Sequence, residues 1–414
     1  MSIFRPFKAV RPTPEYASQV AALPYDVMTS EEARKKVIGN PYSFLHVDKA
    51  EIDLPVGTYL YDDIVYETAA KNLAKLELDG ICKQDETANF YIYQQTMNGR
   101  IQTGLVGCAA IDEYINGKIK RHELTRADKE ADRIRHVDTC NANTGPIFLT
   151  YKGRVEIDNI INNIKTTQSP VYNFVSEGDI DNKIWVISDE ATILKLQSLF
   201  LDVDALYIAD GHHRCASAVK VGLKRREQNP AYDNTEEFNF FLAVVFPKDE
   251  LHILDYNRVI ADLNGMSKEE FFEKINDKFQ IESYLQGKPY KPEEPHTFGM
   301  YIEGSWYKLT AKKGTYEEKD PVKSLDVSIL QDNLISPILG IDDPRTDERI
   351  DFVGGIRGLL ELEKRANSDM VLAFSMYPTQ LDELIRIADA NALMPPKSTW
   401  FEPKLLSGLF VHKL

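Results

Sequence analysis

Short apolar runs alternate with amphipathic stretches through the middle of the chain, between residues 147 and 255. Runs of apolar residues bounded by polar ones are typical of strands, and apolar residues spaced by three or four positions are typical of helices. The pattern predicts strands at Val171–Val175, Lys183–Ile187, Ala205–Ala209 and Phe238–Phe246. It predicts helices at Ala191–Leu201 and after Gly211, where Cys215, Val219 and Leu223 share one face. This alternation indicates an α/β fold with mixed strand order rather than a regular βαβ repeat.

Local signals predict further elements on both sides of this region. Thr29 with Glu32, and Ser267 with Glu270, have the spacing of capping boxes that begin helices, the first of them near 30–38. Asn98-Gly99 separates two β-rich runs and predicts a hairpin across residues 89–111. A last helix is expected near 380–391, with its apolar residues on one side.

Charge and hydropathy narrow the class of protein. The formal net charge of −15 disfavours nucleic acid as a partner, although a pocket can still be locally positive. No run of about 20 apolar residues exists to span a membrane, and the first residues lack the apolar stretch of a secretory signal. We therefore expect a cytoplasmic protein. Its four scattered cysteines have no Cys-x-x-Cys spacing, which predicts reduced thiols rather than disulfides or a zinc ribbon.

The strongest chemical signal is the run Asp210-Gly211-His212-His213-Arg214, which follows a predicted strand and begins a predicted helix. A helix N-terminus presents unpaired N–H groups that favour anions, and glycine permits close approach of the backbone. Arginine and two histidines add donors suited to phosphate oxygens. The alternative is that the run has no ligand, with Asp210 only capping the helix and both histidines only packing against their neighbours. For the whole run, a phosphate site is the favoured interpretation.

Two other segments carry chemistry less specifically. The basic run from Lys118 to Arg135 is typical of a solvated helix face, yet it contains His122-Glu123 directly after an apparent strand. A carboxylate in that position is a candidate general base. The segment from Pro395 to Gly408 combines lysines and hydroxyls with aromatic residues, and either closes over a substrate or packs by its aromatics. P-loop, protein-kinase and zincin motifs are absent from the sequence.

Residues 206–218 resemble the phosphate-binding motif of the ParB/sulfiredoxin superfamily, and within it are similar to the free-serine kinases. Those kinases pair such a helix start with an upstream His-Glu, matched here by His122-Glu123. Sulfiredoxins carry a catalytic cysteine where this chain has His212. The DNA-binding relatives carry a helix-turn-helix after the motif, where this chain has a loop and an apolar strand.

Nearly the whole chain also resembles a large uncharacterised family related to those kinases. The matching positions are Pro24–Val27, Asn40-Pro41 with Phe44, His122-Glu123, Asp132-Arg133, Asn143 with Pro146-Ile147, Asp210–Arg214 and Pro395–Lys404. The resemblance implies a ParB/sulfiredoxin-like core with a mixed sheet, at 89–255, following an N-terminal segment at 1–88. A C-terminal α/β lobe at 256–414 would end with the Pro-Pro-Lys-Ser-Thr-Trp-Phe loop.

The resemblance further implies a kinase that phosphorylates the hydroxyl of free L-serine, giving O-phospho-L-serine for cysteine biosynthesis. Glu123 would be the general base, assisted by His122 and Asp210, and Gly211, His212, His213 and Arg214 would bind phosphate. The predicted substrate-binding residues are Arg133, Asn143, Ser398, Thr399 and Lys404. Mg²⁺ is the expected cofactor, with Asp210 as the candidate ligand.

The phosphoryl donor is open between pyrophosphate, ADP and ATP, with pyrophosphate favoured because no adenine-specific feature stands out. One alternative is a CTP-binding regulatory protein that performs no phosphoryl transfer. Another is a phosphotransferase or hydrolase that acts on a different small molecule. The partners expected are small molecules rather than nucleic acid or membrane, and the oligomeric state is open, with a homodimer among the options.

Overall fold

A computed structural model describes residues 2–414. Its contacts divide the chain into two compact units. The first comprises Met1–Leu251 and Pro403–Leu414, and the second His252–Glu402. The C-terminal end of the chain therefore belongs with the N-terminal half. The three-part division of the chain into 1–88, 89–255 and 256–414 stays a prediction.

Among its described residues, the first unit contains thirteen strands and nine α-helices. Its strands are β1 (Phe4–Arg5), β2 (Val10–Pro12), β3 (Cys82–Gln84), β4 (Phe90–Met97), β5 (Arg100–Ala110), β6 (Ile119–Lys120), β7 (Ala142–Asn143), β8 (Ile147–Tyr151), β9 (Tyr172–Ser176), β10 (Ile180–Ile187), β11 (Leu206–Asp210), β12 (Phe240–Pro247) and, at the end of the chain, β21 (His412–Lys413). Its helices are α1 (Ala17–Val20), α2 (Ser30–Lys36), α3 (Leu45–Asp48), α4 (Asp63–Leu78), α5 (Ile111–Ile115), α6 (Ala127–Cys140), α7 (Val155–Thr167), α8 (Glu190–Leu201) and α9 (His212–Gln228).

Nine of these strands form one mixed sheet, in the order β6-β11-β8-β12-β5-β4-β10-β9, with β1 beside β5. The β6–β11 and β8–β12 pairs are parallel, and the other pairs are antiparallel. The predicted mixed α/β fold is thus confirmed. The strand β1 comes from the N-terminal 88 residues, so that segment contributes directly to the sheet.

Apolar side chains from the sheet and from α7, α8 and α9 form the main core, which includes Leu149, Ile161, Leu196, Ile208 and Val219. A second apolar cluster packs α3 and α4 against the end of α6 and against Val411 near the C-terminus. Of the predicted face of α9, Cys215 and Val219 are buried but Leu223 is 38% exposed. Burial of Cys215 and Val219 in the main core, and of Cys140 in the second cluster, holds α9 and the end of α6 in place.

Local sequence signals account for several element ends. Thr29 and Glu32 form the predicted capping box of α2, and Ser267 and Glu270 form that of α10 (Lys268–Asn276) in the second unit. Asn98 and Gly99 both have positive φ, at 52° and 77°, and join β4 to β5 as predicted. Two positive φ values are what a two-residue hairpin turn of this type requires.

The second unit is built on a six-stranded sheet. The strands of this unit are β13 (Ile253–Leu254), β14 (Tyr256–Ile260), β15 (Phe279–Tyr284), β16 (Thr297–Ile302), β17 (Ser305–Ala311), β18 (Ile350–Gly354), β19 (Leu372–Met376) and β20 (Trp400–Phe401). Besides α10, its α-helices are α11 (Asp326–Leu330), α12 (Leu360–Ala366) and α13 (Leu381–Asp389). The sheet order is β15-β17-β16-β19-β14-β18, and β13 pairs with β20. The helix predicted near 380–391 is α13, which buries Leu384, Ile385 and Ala388.

The structure shows the state of the cysteines and the length and polarity of the helices. All four cysteines are free and buried, as predicted. Across residues 2–414, every helix is too short or too polar to cross a bilayer.

Candidate functional site

The junction between β11 and α9 lies at the centre of the candidate site. The strand ends at Asp210, Gly211 has a φ of 90°, and α9 begins at His212. The pairing of β11 with β8 is irregular between Ile208 and Asp210, a distortion that re-aims side chains at a strand end. The N-cap residue is Gly211, which has no side chain to cap α9. The first N–H groups of this 17-residue helix therefore receive no cap from that position, and such groups suit an anion.

Arg214 extends from the first turn of α9 across this junction. One terminal nitrogen, Nη1, donates to the carbonyl of Pro146 at 2.5 Å, and Nη2 lies 3.4 Å from Asp210 Oδ2. The Nε–H group is buried and has no partner. A Cβ on Gly211 would lie 3.2 Å from the guanidinium, so glycine leaves the room that Arg214 occupies. An unsatisfied buried donor costs about 1–3 kcal/mol, which an oxyanion would recover.

Asp210 lies between two cations. Lys404 Nζ is 3.6 Å from Asp210 Oδ2, on the side chain that also faces Arg214. Burial alone would raise the pKa of Asp210, but Lys404 and Arg214 outweigh burial and hold that pKa below its ordinary value. Lys404 is fixed in position partly by Gln95, whose Nε2 donates to the Lys404 carbonyl at 3.0 Å. The C-terminal segment thus contributes a cation to the predicted phosphate site.

The predicted His-Glu pair lies at the same edge of the sheet. Because β6 and β11 are parallel neighbours, the residues that follow β6 lie beside those that follow β11. The rings of His122 and His212 meet edge to face, with centroids 4.5 Å apart. One ligand atom from each of His122, Glu123 and His212 lies within 4.8 Å of the others.

Burial governs the charge of both histidines. Desolvation lowers the pKa of His122 to about 4, and it lowers the pKa of His212 well below the ordinary value. Both imidazoles are therefore neutral near pH 7. The His122 backbone N–H lies 3.5 Å from His212 Nε2, a long and weak contact.

His213 occupies a different environment from His212. Its Nε2 accepts a hydrogen bond from the backbone N–H of Arg126 at 3.0 Å. Burial lowers its pKa as well. The neutral ring therefore offers only its Nδ1–H as a donor, which limits its predicted role as a phosphate ligand.

A cavity adjoins Arg214 and brings together two of the predicted substrate-binding residues, Arg133 and Asn143. The Arg133 guanidinium lies 4.1 Å above the ring of Tyr25 and pairs with Asp132 at 2.9 Å. Asn143 Oδ1 accepts from the Leu242 N–H at 3.2 Å and from His412 Nδ1 at 3.1 Å. These bonds tie Asn143 to the fold, and its side chain still lines the cavity.

Other residues that line this cavity are not among the predicted ligands. Asp48, at the end of α3, is buried and accepts a hydrogen bond from Thr144 Oγ1 at 2.8 Å. Tyr25, His136 and Ser407 also line it. Tyr25 belongs to the Pro-Tyr-Asp-Val run that carried the family resemblance, so a signal for it existed. Asp48 had none, because a single acidic residue in a short helix is unremarkable.

Ser398 and Thr399 belong to the second unit. Ser398 is buried there, donates to the Pro395 carbonyl at 2.6 Å, and accepts at its own carbonyl from Thr379 at 2.9 Å. The neighbouring aromatics pack within that unit, since Trp400 lies 5.1 Å from the Tyr256 ring and β20 pairs with β13. A substrate role for Ser398 and Thr399 stays a prediction.

Cys215 lacks the environment of a reactive thiol, and Asp210 is the candidate ligand for Mg²⁺. Cys215 is fully buried in the core, and burial raises its pKa, which makes it a poor nucleophile. Asp210 supplies one carboxylate beside the N-terminus of α9, an arrangement that fits Mg²⁺ held mainly by phosphate oxygens and water. The two ion pairs of Asp210 would have to rearrange for it to become a metal ligand.

The model of a family described as protein of unknown function, DUF1015, matches residues 4–328. The chain belongs to the DUF1015 family. The matched range includes His122, Glu123 and Asp210–Arg214, but not the segment that carries Lys404. No curated protein sequence matches this DUF1015 protein.

Several solved structures show limited similarity to this DUF1015 protein. A free serine kinase in complex with AMP is 12% identical, with a TM-score of 0.35 over 72% of this chain and 86% of that one. A conserved hypothetical protein from Pyrococcus furiosus is 12% identical, with a TM-score of 0.35 over 76% and 97%. SbnI with a C-terminal truncation, from Staphylococcus aureus, is 11% identical, with a TM-score of 0.36 over 73% and 85%. These similarities are too low to establish a shared activity.

Proposed function

We propose that this protein is a kinase that transfers a phosphoryl group to the hydroxyl of free L-serine, forming O-phospho-L-serine. The observation that carries the proposal is the uncapped N-terminus of α9 beside the unpartnered Nε–H of Arg214. Phosphoryl transfer asks a protein mainly for positioning and for stabilisation of negative charge. The open helix end, Arg214 and Lys404 supply that charge stabilisation around one point.

The cavity beside Arg214 supports the choice of free L-serine as the phosphoryl acceptor. A free amino acid carries a carboxylate and an ammonium group, and the cavity presents both signs of charge. Arg133 and Arg214 suit the carboxylate, and Asp48 suits the ammonium group.

Glu123 is the proposed general base. It is half-buried and lies close to His212, at the start of the helix that would hold the donor phosphates. A base in this position can accept the serine hydroxyl proton as the oxygen attacks phosphorus. Mg²⁺, with Asp210 as its protein ligand, would neutralise charge on the donor phosphates.

The donor favoured is pyrophosphate, with ADP or ATP as the alternatives. No adenine-specific feature stands out in the sequence, which favours the more compact donor. Turnover with pyrophosphate and with no nucleotide would support this choice. Activity restricted to ADP or ATP would reject pyrophosphate and keep the kinase.

The direct test is product detection. The purified protein would be incubated with L-serine, Mg²⁺ and, separately, pyrophosphate, ADP, ATP and CTP, and phosphoserine would be followed by phosphorus NMR. We expect Glu123→Gln to bind the donor normally but to lose about 10²–10⁴-fold in turnover. Glu86→Gln, an exposed change of the same charge, should be fully active. CTP binding without phosphoserine from any donor would instead favour a regulatory protein.

A further inference from the structure

Two buried imidazoles, of His122 and His212, and the carboxylate of Glu123 converge beside the end of β6. His122 is 1% exposed and His212 is 7% exposed. Neither ring nitrogen of His122 has a hydrogen-bond partner. Burial lowers the pKa of His122, and the nearby carbonyl of Ile208 opposes that effect without outweighing it.

An edge-to-face pair of histidines can have a packing role only. The unpartnered nitrogens of His122 are the observation that distinguishes packing from ligand binding. Buried polar side-chain atoms nearly always have a partner, and each one left without costs about 1–3 kcal/mol. An apolar ring would fill the position of His122 without that cost. A ligand that binds the free lone pair removes the penalty for that nitrogen, and a neutral imidazole is a strong metal ligand.

The donor set also has the right composition and spread. One atom from each of His122, Glu123 and His212 falls within 4.8 Å of the others. Donors about 2.1 Å from a common ion lie roughly 3.0–3.4 Å apart, a closure that modest side-chain rotations achieve. Three protein ligands leave coordination positions open, as in catalytic rather than structural metal centres.

We propose that His122, Glu123 and His212 form a binding site for one divalent transition-metal ion. Two imidazoles with one carboxylate suit ions such as Zn²⁺, Co²⁺ or Fe²⁺, whereas Mg²⁺ prefers oxygen ligands alone. The site is therefore different from the Mg²⁺ position suggested for Asp210. A carboxylate has two oxygens, so one Glu123 oxygen can bind the ion and leave the other able to accept a proton.

The inference concerns metal binding and does not depend on the proposed function. Chelator-treated protein would be titrated with Zn²⁺ and with Co²⁺, in the presence of millimolar Mg²⁺. We expect one ion per chain, and a rise in melting temperature on Zn²⁺ addition. The Co²⁺ form should show visible absorption bands of a low-symmetry, four- or five-coordinate site.

Variants assign the ligands. His122→Ala and His212→Ala should each weaken Zn²⁺ binding by at least about 100-fold, and His122→Phe gives a second variant that refills the buried space. The matched control is His213→Ala, which removes the adjacent histidine outside the cluster and should bind Zn²⁺ as the parent does. Less than one ion per chain in the parent, or equal losses in His212→Ala and His213→Ala, would overturn the inference.

The outcomes separate this inference from the kinase proposal. One Zn²⁺ per chain in a protein that never forms phosphoserine would reject the kinase and keep the metal site. Phosphoserine formation with Mg²⁺ alone, in protein that binds neither Zn²⁺ nor Co²⁺, would reject the metal site and keep the kinase.

Discussion

Lys404 Nζ lies 3.6 Å from Asp210 Oδ2, so a residue near the end of the chain contributes a cation to the carboxylate that ends β11. The Lys404 side chain is only 11% exposed. An ion pair screened in this way from water interacts more strongly than a surface pair. Lys404 therefore has a defined electrostatic role at the β11–α9 junction, and a phosphate that displaced Asp210 would inherit the same cation.

Removing the charge of Lys404 should weaken binding of the phosphoryl donor. We expect Lys404→Met to raise the Kd for pyrophosphate about tenfold or more, because a desolvated charge on phosphate contributes at least about 1.4 kcal/mol. Isothermal titration calorimetry measures the change. Lys413→Met is the matched control, since Lys413 belongs to the same segment but pairs with Glu77 at 2.6 Å. Equal affinity in Lys404→Met and the parent would contradict the role of Lys404.

The buried carboxylate of Asp48 should act on the acceptor rather than on the donor. We expect Asp48→Asn to raise the KM for L-serine by tenfold or more and to leave the KM for the donor unchanged, because only the serine ammonium loses a partner. Thr144→Val is the control, since it removes the hydrogen bond to Asp48 but keeps the charge. A parallel rise in both KM values would show that Asp48 supports the fold rather than the substrate.

Gly211 should be intolerant of a side chain for two separable reasons. Its φ of 90° strains any other residue by about 1–2 kcal/mol, and an added Cβ would lie 3.2 Å from the Arg214 guanidinium. We expect Gly211→Ala to lower stability and also to weaken donor binding at least tenfold. Gly99→Ala carries the strain alone, since its φ is 77° and nothing lies within 4 Å of the new Cβ.

Urea unfolding and donor titration of the two variants distinguish these effects. Both should lose a similar amount of stability, and only Gly211→Ala should lose affinity. If the two variants bound the donor equally well, the close packing of Arg214 on Gly211 would have no part in binding.

Glu113 on α5 should make the stability of the first unit depend on pH. Its Oε1 accepts from the Ile3 N–H at 2.6 Å, and its Oε2 is buried without a partner. Burial raises the pKa of Glu113 from 4.5 to about 7. The folded state therefore holds a proton that the unfolded state releases between these values, so stability falls as the pH rises through this window.

Glu113→Gln should accordingly change stability little at pH 5 and increase it at pH 8. Urea midpoints at the two pH values measure the difference, with the exposed Glu227→Gln as a control that should show no such dependence. A stability difference between Glu113→Gln and the parent that is the same at both pH values would refute the raised pKa.

The local features of this protein follow directly from its amino-acid sequence. The capping boxes of α2 and α10, the Asn98-Gly99 hairpin and the strand-to-helix position of Asp210–Arg214 all depend on residues within a few positions of one another. Such features follow from short-range hydrogen bonding and backbone sterics, so the pattern of residues is sufficient to predict them.

Contacts between residues that are distant in the sequence depend on the tertiary fold. His122 and His212 are 90 positions apart and come together because β6 pairs in parallel with β11. Lys404 reaches Asp210 because the C-terminal residues belong to the first unit, and Asp48 reaches the cavity because α3 packs with α4. Strand order and helix packing depend on burial summed over the whole core, which a short stretch of sequence does not encode.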